Sequence, residues 1–315
     1  MNRLASLYGA MMRARNQLYD RGALPVHRLQ GPVVSVGNLT VGGAGKTPFV
    51  IALGELLRQR GVAFDVLSRG YRRATKGVKL VDPKGSPCDF GDEPLLIARK
   101  LRVPVIVAED RYAGGRFAEK ELGTQLHLLD DGFQHRHLAR EFDIVLVTPA
   151  DVKDSLLPAG RLREPLSSLS RADAVVLTNQ MAADGLPLAG RLVWRVRRGI
   201  VPPDAPDPCF AFCGIARPEN FFADLSAAGI TLVATKAFPD HHVYTRSDVR
   251  RLLGLRRQHT ATAFLTTEKD AINLGTAIAD LAPLHVVPVR MQLDAPGAVI
   301  DALLARIAQR NPQSA

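Results

Sequence analysis

Short runs of apolar residues alternate with stretches of helical periodicity along most of the chain. Buried strands are predicted at 32–36, 64–67, 104–107, 126–129, 144–147 and 174–177. Helices are predicted at 47–60 and 93–101. Continuous apolar runs, as opposed to alternating ones, are typical of parallel strands that are covered on both faces. The pattern therefore predicts an α/β protein of the P-loop NTPase type, with a parallel sheet flanked by helices.

A proline-rich segment interrupts this pattern at 201–208, where four of eight residues are proline. Proline cannot continue a helix or a central strand, so this segment is predicted to be a linker or a domain edge. Beyond it the alternation resumes on a smaller scale, with strands predicted at 210–213, 231–234 and 263–266 and helices from 218, at 247–255 and up to 307. We expect three parts: an N-terminal helix at 1–25, a core at 26–200, and a second, smaller α/β lobe at 201–315 that closes a cleft.

The first twenty residues combine helical spacing with basic charge. Apolar side chains recur from Leu4 to Tyr19, and Arg3, Arg13 and Arg15 lie among them. Such a basic amphipathic helix either packs against the domain behind it or lies in a membrane interface, with its arginines near lipid phosphates. On the residues alone, packing against the domain is slightly favoured.

Composition and charge narrow the classes of partner. Lys and Arg outnumber Asp and Glu by 41 to 31, and the net charge of +10 favours an anionic partner such as nucleic acid, a phosphorylated ligand or an anionic bilayer. Aromatic residues make up only 6% and follow no basic stripe, which disfavours nucleic acid. The three cysteines form neither a disulfide framework nor a metal-binding pattern. Because a signal-peptide core and an apolar run of about eighteen residues are both missing, we expect a cytoplasmic protein.

A glycine-rich turn between the first strand and its helix carries the strongest chemical signal. It contains Gly42, Gly43, Ala44, Gly45, Lys46 and Thr47. In such a turn the backbone N–H groups converge on phosphate oxygens at the positive end of a helix. Lys46 would then reach the β- and γ-phosphates of a nucleotide, and the Thr47 hydroxyl would bind Mg²⁺. One position departs from the usual motif, because Thr40 stands where its first glycine is expected. An ordinary glycine-rich turn is the simpler but less favoured alternative.

Acidic residues occur where a P-loop protein needs them. Asp130 and Asp131 follow the apolar run 126–129, and two adjacent carboxylates favour a cation beside them, although Asp-Asp-Gly is also good turn chemistry. Asp92 and Glu93 stand at the start of a predicted helix. Either one takes the proton from an attacking hydroxyl or completes the metal site, but a helix N-terminus alone would also explain them.

Two further segments carry polar chemistry. In Phe238-Pro-Asp-His-His-Val-Tyr244, Asp240 is positioned to hold a neighbouring histidine in one tautomer. Neither this segment nor Gln134-His-Arg-His137 has the paired spacing of a zinc motif. The segment Thr266-Thr-Glu-Lys-Asp270 follows another apolar run and is expected to line the nucleotide cleft. Its lysine is displaced by one position from that of the guanine-reading element, which disfavours a GTPase.

Together these segments resemble the tetraacyldisaccharide 4′-kinase family. The matching segments are Gly37-Asn-Leu-Thr-Val-Gly-Gly-Ala-Gly-Lys-Thr-Pro48, Leu67-Ser-Arg-Gly-Tyr71, Gly91-Asp-Glu-Pro94, Leu129-Asp-Asp-Gly-Phe-Gln-His135, Leu157-Pro-Ala-Gly-Arg-Leu-Arg-Glu-Pro165, Phe238-Pro-Asp-His241 and Thr267-Glu-Lys-Asp270. They occur in family order, and the fourth and fifth are far more specific than the P-loop alone. The family itself departs from the usual P-loop at the position of Thr40.

The resemblance implies that ATP, with Mg²⁺, phosphorylates the 4′-hydroxyl of a tetraacylated glucosamine disaccharide 1-phosphate to give lipid IVA. It implies that Asp92 is the base and works with His241, and that Lys46 and Thr47 belong to the P-loop. The acids that it implies around the metal and the reaction centre are Glu93, Asp130, Asp131 and Glu164. It also implies that the N-terminal helix makes peripheral contact with the cytoplasmic face of the bacterial inner membrane. We expect a monomer that binds no nucleic acid.

Two other activities compete with this hypothesis. A P-loop ATPase or GTPase acting as a switch or assembly factor would need no hydroxyl acceptor. A kinase for a soluble sugar or cofactor would need no lipid or detergent. A purely structural membrane-binding protein is disfavoured by the P-loop and its accompanying acids.

Overall fold

The computed structural model describes residues 3–310 of the chain, and its strands form two β-sheets, one of nine strands and one of four. In chain order the strands are β1 (Val33–Asn38), β2 (Phe64–Ser68), β3 (Lys79–Leu80), β4 (Val105–Val107), β5 (Leu126–Asp130), β6 (Phe142–Val147), β7 (Ala174–Thr178), β8 (Leu192–Ile200), β9 (Cys209–Cys213), β10 (Leu232–Ala237), β11 (Ala263–Thr267), β12 (Leu284–Val287) and β13 (Val289–Leu293).

Helices cover both sheets. They are α1 (Arg3–Asp20), α2 (Lys46–Gln59), α3 (Pro87–Phe90), α4 (Asp92–Leu101), α5 (Arg111–Leu122), α6 (Pro149–Val152), α7 (Pro218–Ala227), α8 (Arg246–Gln258), α9 (Glu268–Leu274) and α10 (Pro296–Arg310). Two 3₁₀ helices, Leu166–Arg171 and Gly275–Leu281, complete the regular structure of the described residues.

The larger sheet has the strand order β13-β8-β7-β6-β1-β5-β2-β4-β3, and its central strands are parallel. Every residue of β1, β5 and β6 is buried, as their continuous apolar runs predict. Since β1 lies next to β5, with Val36 opposite Asp130, the two carboxyl ends meet at the same edge. The register therefore brings the glycine-rich turn after β1 close to the acids at the end of β5.

The smaller sheet has the order β10-β9-β11-β12, and all its neighbouring strands are parallel. Alternate residues of β9 enter two different cores: Cys209 and Ala211 pack with Phe221 of α7, whereas Phe210 packs with Leu252 of α8. Helices thus cover both faces. This arrangement confirms the predicted α/β fold with a second, smaller lobe.

The chain leaves the larger sheet through β8 and returns to it through the antiparallel strand β13, with Ile200 opposite Val289. The apolar face of α10, which includes Val299 and Leu303, then packs into the core of the larger sheet. The range 201–315 is consequently shared between the two sheets, because its last strand and helix bury their apolar side chains against the larger one. The predicted three-part division remains a prediction; residues 1–2 of its first part and 311–315 of its last lie outside the described residues.

The predicted N-terminal helix corresponds to α1, which has two distinct faces. Met12 is buried, and the Tyr8 hydroxyl donates a hydrogen bond to the backbone oxygen of Arg163 at 3.0 Å. On the other face Leu7 is 68% exposed and Met11 is 57% exposed. Within residues 3–310, no helix has the length and apolar character needed to cross a membrane.

Candidate active site

The turn between β1 and α2 has the backbone that its glycines predict. Gly42, Gly43 and Gly45 adopt positive φ angles of 75°, 60° and 80°, a region that side-chain-bearing residues avoid. Helix α2 begins at Lys46, so its free N–H groups face the turn. The Lys46 ammonium donates a hydrogen bond to Oδ1 of Asn38 at 2.9 Å. The turn therefore presents backbone donors and one cation at the same place, which suits a phosphate group.

A cavity of about 730 Å³ lies between the two lobes. Most of the site residues predicted from the sequence line it, namely Gly42, Gly43, Ala44, Gly45, Lys46, Thr47, Glu93, Asp130, Asp131 and His241. Asp92 is buried directly behind His241, to which it is hydrogen bonded. Asp92 and Glu164 are the two predicted site residues that do not line the cavity, and Asp92 is joined to it through His241.

The two acids after β5 have opposite environments. Asp131 accepts hydrogen bonds from the Arg163 guanidinium at 2.8 and 3.1 Å and lies 3.4 Å from the Lys46 ammonium. Burial opposes its ionisation, but Lys46 and Arg163 outweigh that effect and lower the pKa of Asp131. Asp130 accepts one hydrogen bond, from Ser68 at 3.1 Å, and its buried Oδ1 has no hydrogen-bond partner.

Burial, together with the nearby charges of Glu93 and Asp131, raises the pKa of Asp130 to about 7. The charge of Lys46 and the hydrogen bond from Ser68 act in the opposite direction but do not outweigh these effects, so the negative charge of Asp130 is only partly compensated. Asp130 is therefore the acid that fits a divalent metal, whereas two protein cations already neutralise Asp131. The set of residues compatible with Mg²⁺ is Thr47, Glu93 and Asp130, since Mg²⁺ commonly takes one or two carboxylates and completes its shell with water and substrate phosphates.

Glu164 points toward the N-terminal helix. Its carboxylate accepts hydrogen bonds from Arg171 at 3.1 Å and from the Asn16 side chain at 2.7 Å, and the residue is fully buried. Burial opposes its ionisation, but the bonds from Arg171 and Asn16 lower the pKa of Glu164. In this arrangement Glu164 anchors α1 to the segment that follows β6, and its predicted place around the metal remains a prediction.

Asp92 and His241 form a pair that crosses between the lobes. Asp92 begins α4 in the larger lobe, and His241 follows β10 in the smaller one. Nδ1 of His241 lies 3.0 and 2.9 Å from the two carboxylate oxygens of Asp92. Although burial acts to raise the pKa of Asp92, the hydrogen bond from His241 and the charge of Lys269 together lower it. The carboxylate is thus ionised and oriented.

Lys269, at the start of α9, fixes the other side of the His241 ring. Its Nζ lies 3.2 Å from Nε2 of His241, 3.3 Å from Oδ1 of Asp240 and 3.4 Å from Oε1 of Glu93. An ammonium can only donate hydrogen bonds, so Nε2 accepts one from Lys269. The ring proton is then on Nδ1, and the Nδ1–H group donates a hydrogen bond to Asp92. Asp240 does not hold Nε2 directly, because its Oδ2 is 3.7 Å away and both atoms are acceptors; it accepts a hydrogen bond from Lys269, the donor that faces Nε2.

Sequence reasoning singled out the segment 266–270 but did not identify Lys269 within it. Arg163 was also missed, although it lies inside the segment Leu157–Pro165 that carries the family resemblance. Among residues 3–310, no group of three or more His, Cys, Asp or Glu side chains is arranged to hold a metal ion. His242 is instead hydrogen bonded to Asp248 at 3.1 Å.

The cavity thus has two chemically different halves. The half formed by the P-loop, Lys46 and Arg163 is cationic and rich in donors, as a triphosphate requires. The half formed by Asp92, His241 and Lys269 holds an oriented carboxylate that can accept a proton. Juxtaposed, they suit phosphoryl transfer to a hydroxyl group.

Comparisons with known proteins agree with this chemistry. The chain matches the family described as LpxK, tetraacyldisaccharide-1-P 4′-kinase, over residues 1–308. A Koribacter versatilis protein named tetraacyldisaccharide 4′-kinase is 48% identical to it over 320 residues, which cover 98% of this chain and 99% of that protein. A protein of the same name from Aquifex aeolicus is 41% identical over 285 residues, covering 85% and 87% of the two chains.

A solved crystal structure has a similar fold over nearly the whole chain. The crystal structure of LpxK from Aquifex aeolicus in complex with ATP superposes with a TM-score of 0.79 and 35% sequence identity. The match covers 96% of this chain and 97% of that one. These similarities confirm the resemblance derived from the sequence segments.

Proposed function

The chain belongs to the tetraacyldisaccharide-1-P 4′-kinase family, and on that premise we propose that it transfers the γ-phosphoryl group of ATP to the 4′-hydroxyl of a tetraacyldisaccharide 1-phosphate, giving lipid IVA. ATP is the phosphoryl donor, in line with the ATP complex of the solved relative. The observation that carries the proposal is the meeting, at one cavity, of a P-loop with His241, whose Nδ1 is hydrogen bonded to the buried Asp92 carboxylate.

On the phosphate side, the P-loop amides and Lys46 neutralise the β- and γ-phosphates. Thr47, Glu93 and Asp130 would hold Mg²⁺, which supplies further neutralisation of phosphate charge when bound. We assign Asp130, not Asp131, as the nearer acid, because the Asp130 carboxylate has a buried oxygen with no partner. Asp131 instead holds Arg163 and Lys46 in place.

On the acceptor side, Asp92 takes the proton of the sugar hydroxyl while the new O–P bond forms. The Nδ1–H group of His241 donates a hydrogen bond to Asp92 and so orients the carboxylate, while Lys269 donates a hydrogen bond to the opposite ring nitrogen. The transition state of phosphoryl transfer is loose, so positioning contributes more than proton abstraction. Because the pair spans two lobes, it is complete only when the cleft is closed, and closure also excludes water.

We further propose that α1 places the enzyme peripherally on the cytoplasmic face of the inner membrane, as a monomer. The acceptor is an acylated lipid, and an interfacial helix would bring the cavity to it. Support comes from the exposed apolar side chains of Leu7 and Met11 and from the arginines of the same helix. The opposite face of α1 is fixed to the larger lobe through Tyr8 and Asn16.

The decisive test is transfer of labelled γ-phosphate from ATP to purified tetraacyldisaccharide 1-phosphate in detergent micelles. A labelled lipid that is lost in Lys46→Ala supports both the acceptor class and the P-loop role. ATP turnover without a lipid product would favour a switch ATPase. Equal or faster transfer to a soluble, unacylated sugar without detergent would favour a soluble-sugar kinase.

Membrane contact is tested separately by flotation with vesicles of phosphatidylethanolamine and phosphatidylglycerol. We expect Leu7→Glu and Met11→Glu to reduce the bound fraction, because a charge on the apolar face opposes insertion. Leu80→Glu is the matched control, since Leu80 is also an exposed apolar residue but lies on the edge strand β3. Equal loss in all three variants would contradict a specific role for α1.

A further inference from the structure

Arg217 brings a positive charge from the smaller lobe directly onto the P-loop. It precedes Pro218, the first residue of α7, and its side chain is only 13% exposed. A Cβ added at Gly43 would lie 3.1 Å from both Cγ and Nε of Arg217. One added at Gly42 would lie 3.2 Å from Cβ of the adjacent Ala216. The two P-loop glycines thus leave just enough space for this part of the smaller lobe.

The hydrogen bonding of the Arg217 guanidinium is incomplete. Nη1 donates to Oγ1 of Thr148 at 3.3 Å, but Nε and Nη2 are buried and have no hydrogen-bond partner. Several other arginines leave a buried Nε unpaired; among residues 3–310, Arg217 is the one that also leaves a buried terminal nitrogen without a partner. A buried charged donor with no acceptor is costly, and native proteins rarely keep one without a reason.

The nearest acid holds Arg217 only loosely. Nη2 of Arg217 lies 3.6 Å from Oδ1 of Asp151, beyond hydrogen-bond distance, and that oxygen is itself unpartnered. The other oxygen of Asp151 accepts the Thr148 backbone N–H at 2.7 Å and so belongs to the start of α6. Arg198, which lines the same cavity, is by contrast hydrogen bonded to Asp224. Arg217 is therefore a guanidinium with two nitrogens that lack hydrogen bonds, placed over a phosphate-binding loop.

We propose that Arg217 donates hydrogen bonds to the β- and γ-phosphates of the nucleotide and thereby couples ATP binding to closure of the smaller lobe over the P-loop. A planar guanidinium fork fits phosphate oxygens better than an ammonium does. The acceptors missing from Nε and Nη2 are then supplied by the substrate. This inference rests on the proposed ATP site at Lys46 and deepens it.

The test compares nucleotides that differ in phosphate number. Calorimetry measures the dissociation constants of a non-hydrolysable ATP analogue and of AMP for wild type, Arg217→Ala and Arg217→Lys. We expect Arg217→Ala to weaken the analogue by about tenfold to a hundredfold and AMP hardly at all, because a charge-assisted hydrogen bond to phosphate is lost. Arg217→Lys, which keeps the charge but not the fork, should fall between the two.

Arg251→Ala is the matched control, since Arg251 belongs to the same lobe and is exposed on α8. It makes the same change in net charge and should bind both nucleotides as wild type does. Equal weakening of the analogue and AMP by Arg217→Ala, or unchanged binding in both Arg217 variants, would overturn the proposal. If wild type itself binds no analogue, the ATP site fails as well, which is a separate result.

A second readout follows closure without turnover. Hydrogen exchange of the amides at 214–217 should slow when the analogue is added to wild type and should respond much less in Arg217→Ala. A response that is the same in both proteins would separate Arg217 from lobe closure and overturn the coupling.

Discussion

The two halves of the cavity are assembled in different ways. Lys46 and Asp131 stand after neighbouring strands of one sheet, so their contact is fixed by the pairing of β1 with β5. Asp92 and His241 are 149 positions apart in the chain and belong to different lobes. The P-loop, Lys46 and Arg163 of the phosphate half therefore all belong to the larger lobe, whereas the Asp92–His241 pair of the acceptor half exists only when the lobes meet.

Because the two halves are assembled differently, ATP can bind to the phosphate half before the acceptor half is complete. An enzyme whose proposed base is complete only after closure would not activate water in its open state. Arg217 is the proposed link, since it joins the phosphate half from the lobe that carries His241.

The largest effect is expected from breaking the acceptor half. Asp92→Ala and His241→Ala should lower kcat by about 10²–10⁴-fold, as loss of a general base does, while the dissociation constant of ATP changes little. Steady-state transfer to the lipid, together with calorimetric ATP binding, measures both quantities. Losses of equal size in turnover and in ATP affinity would contradict the assignment of Asp92 and His241 to the transfer step.

Breaking the phosphate half should give the reverse signature. Lys46→Met removes a charge that faces the triphosphate, so we expect kcat to fall by about 10²–10³-fold and ATP affinity to fall with it. AMP binding provides the internal control, because AMP lacks the phosphates that Lys46 would reach. Unchanged ATP affinity in this variant would contradict the assignment.

A smaller effect on kcat should follow from removing the hydrogen bond that Lys269 donates to His241. Lys269→Met keeps the length of the side chain but removes the donor to Nε2 of His241, so we expect kcat to fall by about tenfold, or roughly 1.4 kcal/mol in barrier. Nitrogen NMR of the imidazole should show the Nδ1-protonated tautomer of His241 losing population.

Lys100→Met is the control for Lys269→Met, since Lys100 pairs with Glu268 across the same lobe boundary but does not touch His241. If both lysine variants lowered kcat equally and the tautomer of His241 did not change, Lys269 would act by stabilising the contact between the lobes and not by orienting His241.

The smallest effect concerns pH. The pKa of Asp92 is below its usual 3.8 in the closed arrangement, so its contribution to closure is full above 3.8 and is lost as the pH falls toward the lowered value. Fluorescence transfer between dyes on the two lobes should show an acid-induced opening in that window. Asp92→Asn, which cannot ionise, should lack this transition.

Sequence patterns predicted the parts of the fold in which burial dominates. The strands β1, β5 and β6 are covered on both faces, and their unbroken apolar runs are visible in the sequence. Strand β8 was missed because it is only partly buried and carries Arg195, Arg197 and Arg198, which interrupt any apolar pattern. Strand β13 pairs with β8 near that edge of the sheet and was missed too.

The same limit applies to the site. The P-loop was predictable because its glycines, Lys46 and Thr47 are adjacent in the sequence and their roles follow from local backbone geometry. Lys269 and Arg217 act across the lobe boundary, so their partners lie far away in the chain and no local pattern identifies them. Glu164 belongs to a specific sequence motif, but the motif alone does not reveal that its side chain is directed toward Asn16 of α1.

Because β8 pairs with β13 in antiparallel fashion, the smaller lobe is an insertion between two neighbouring strands of the larger sheet, with Ile200 and Val289 at its two ends. During synthesis, the ribosome completes the whole insertion before the strand and helix that finish the larger sheet emerge. Until then, the core surface that α10 covers with Val299 and Leu303 stays open to solvent and to chaperones. A chain that stops shortly before α10 would thus contain every residue proposed for catalysis and still leave an apolar face exposed, which makes it a substrate for quality control.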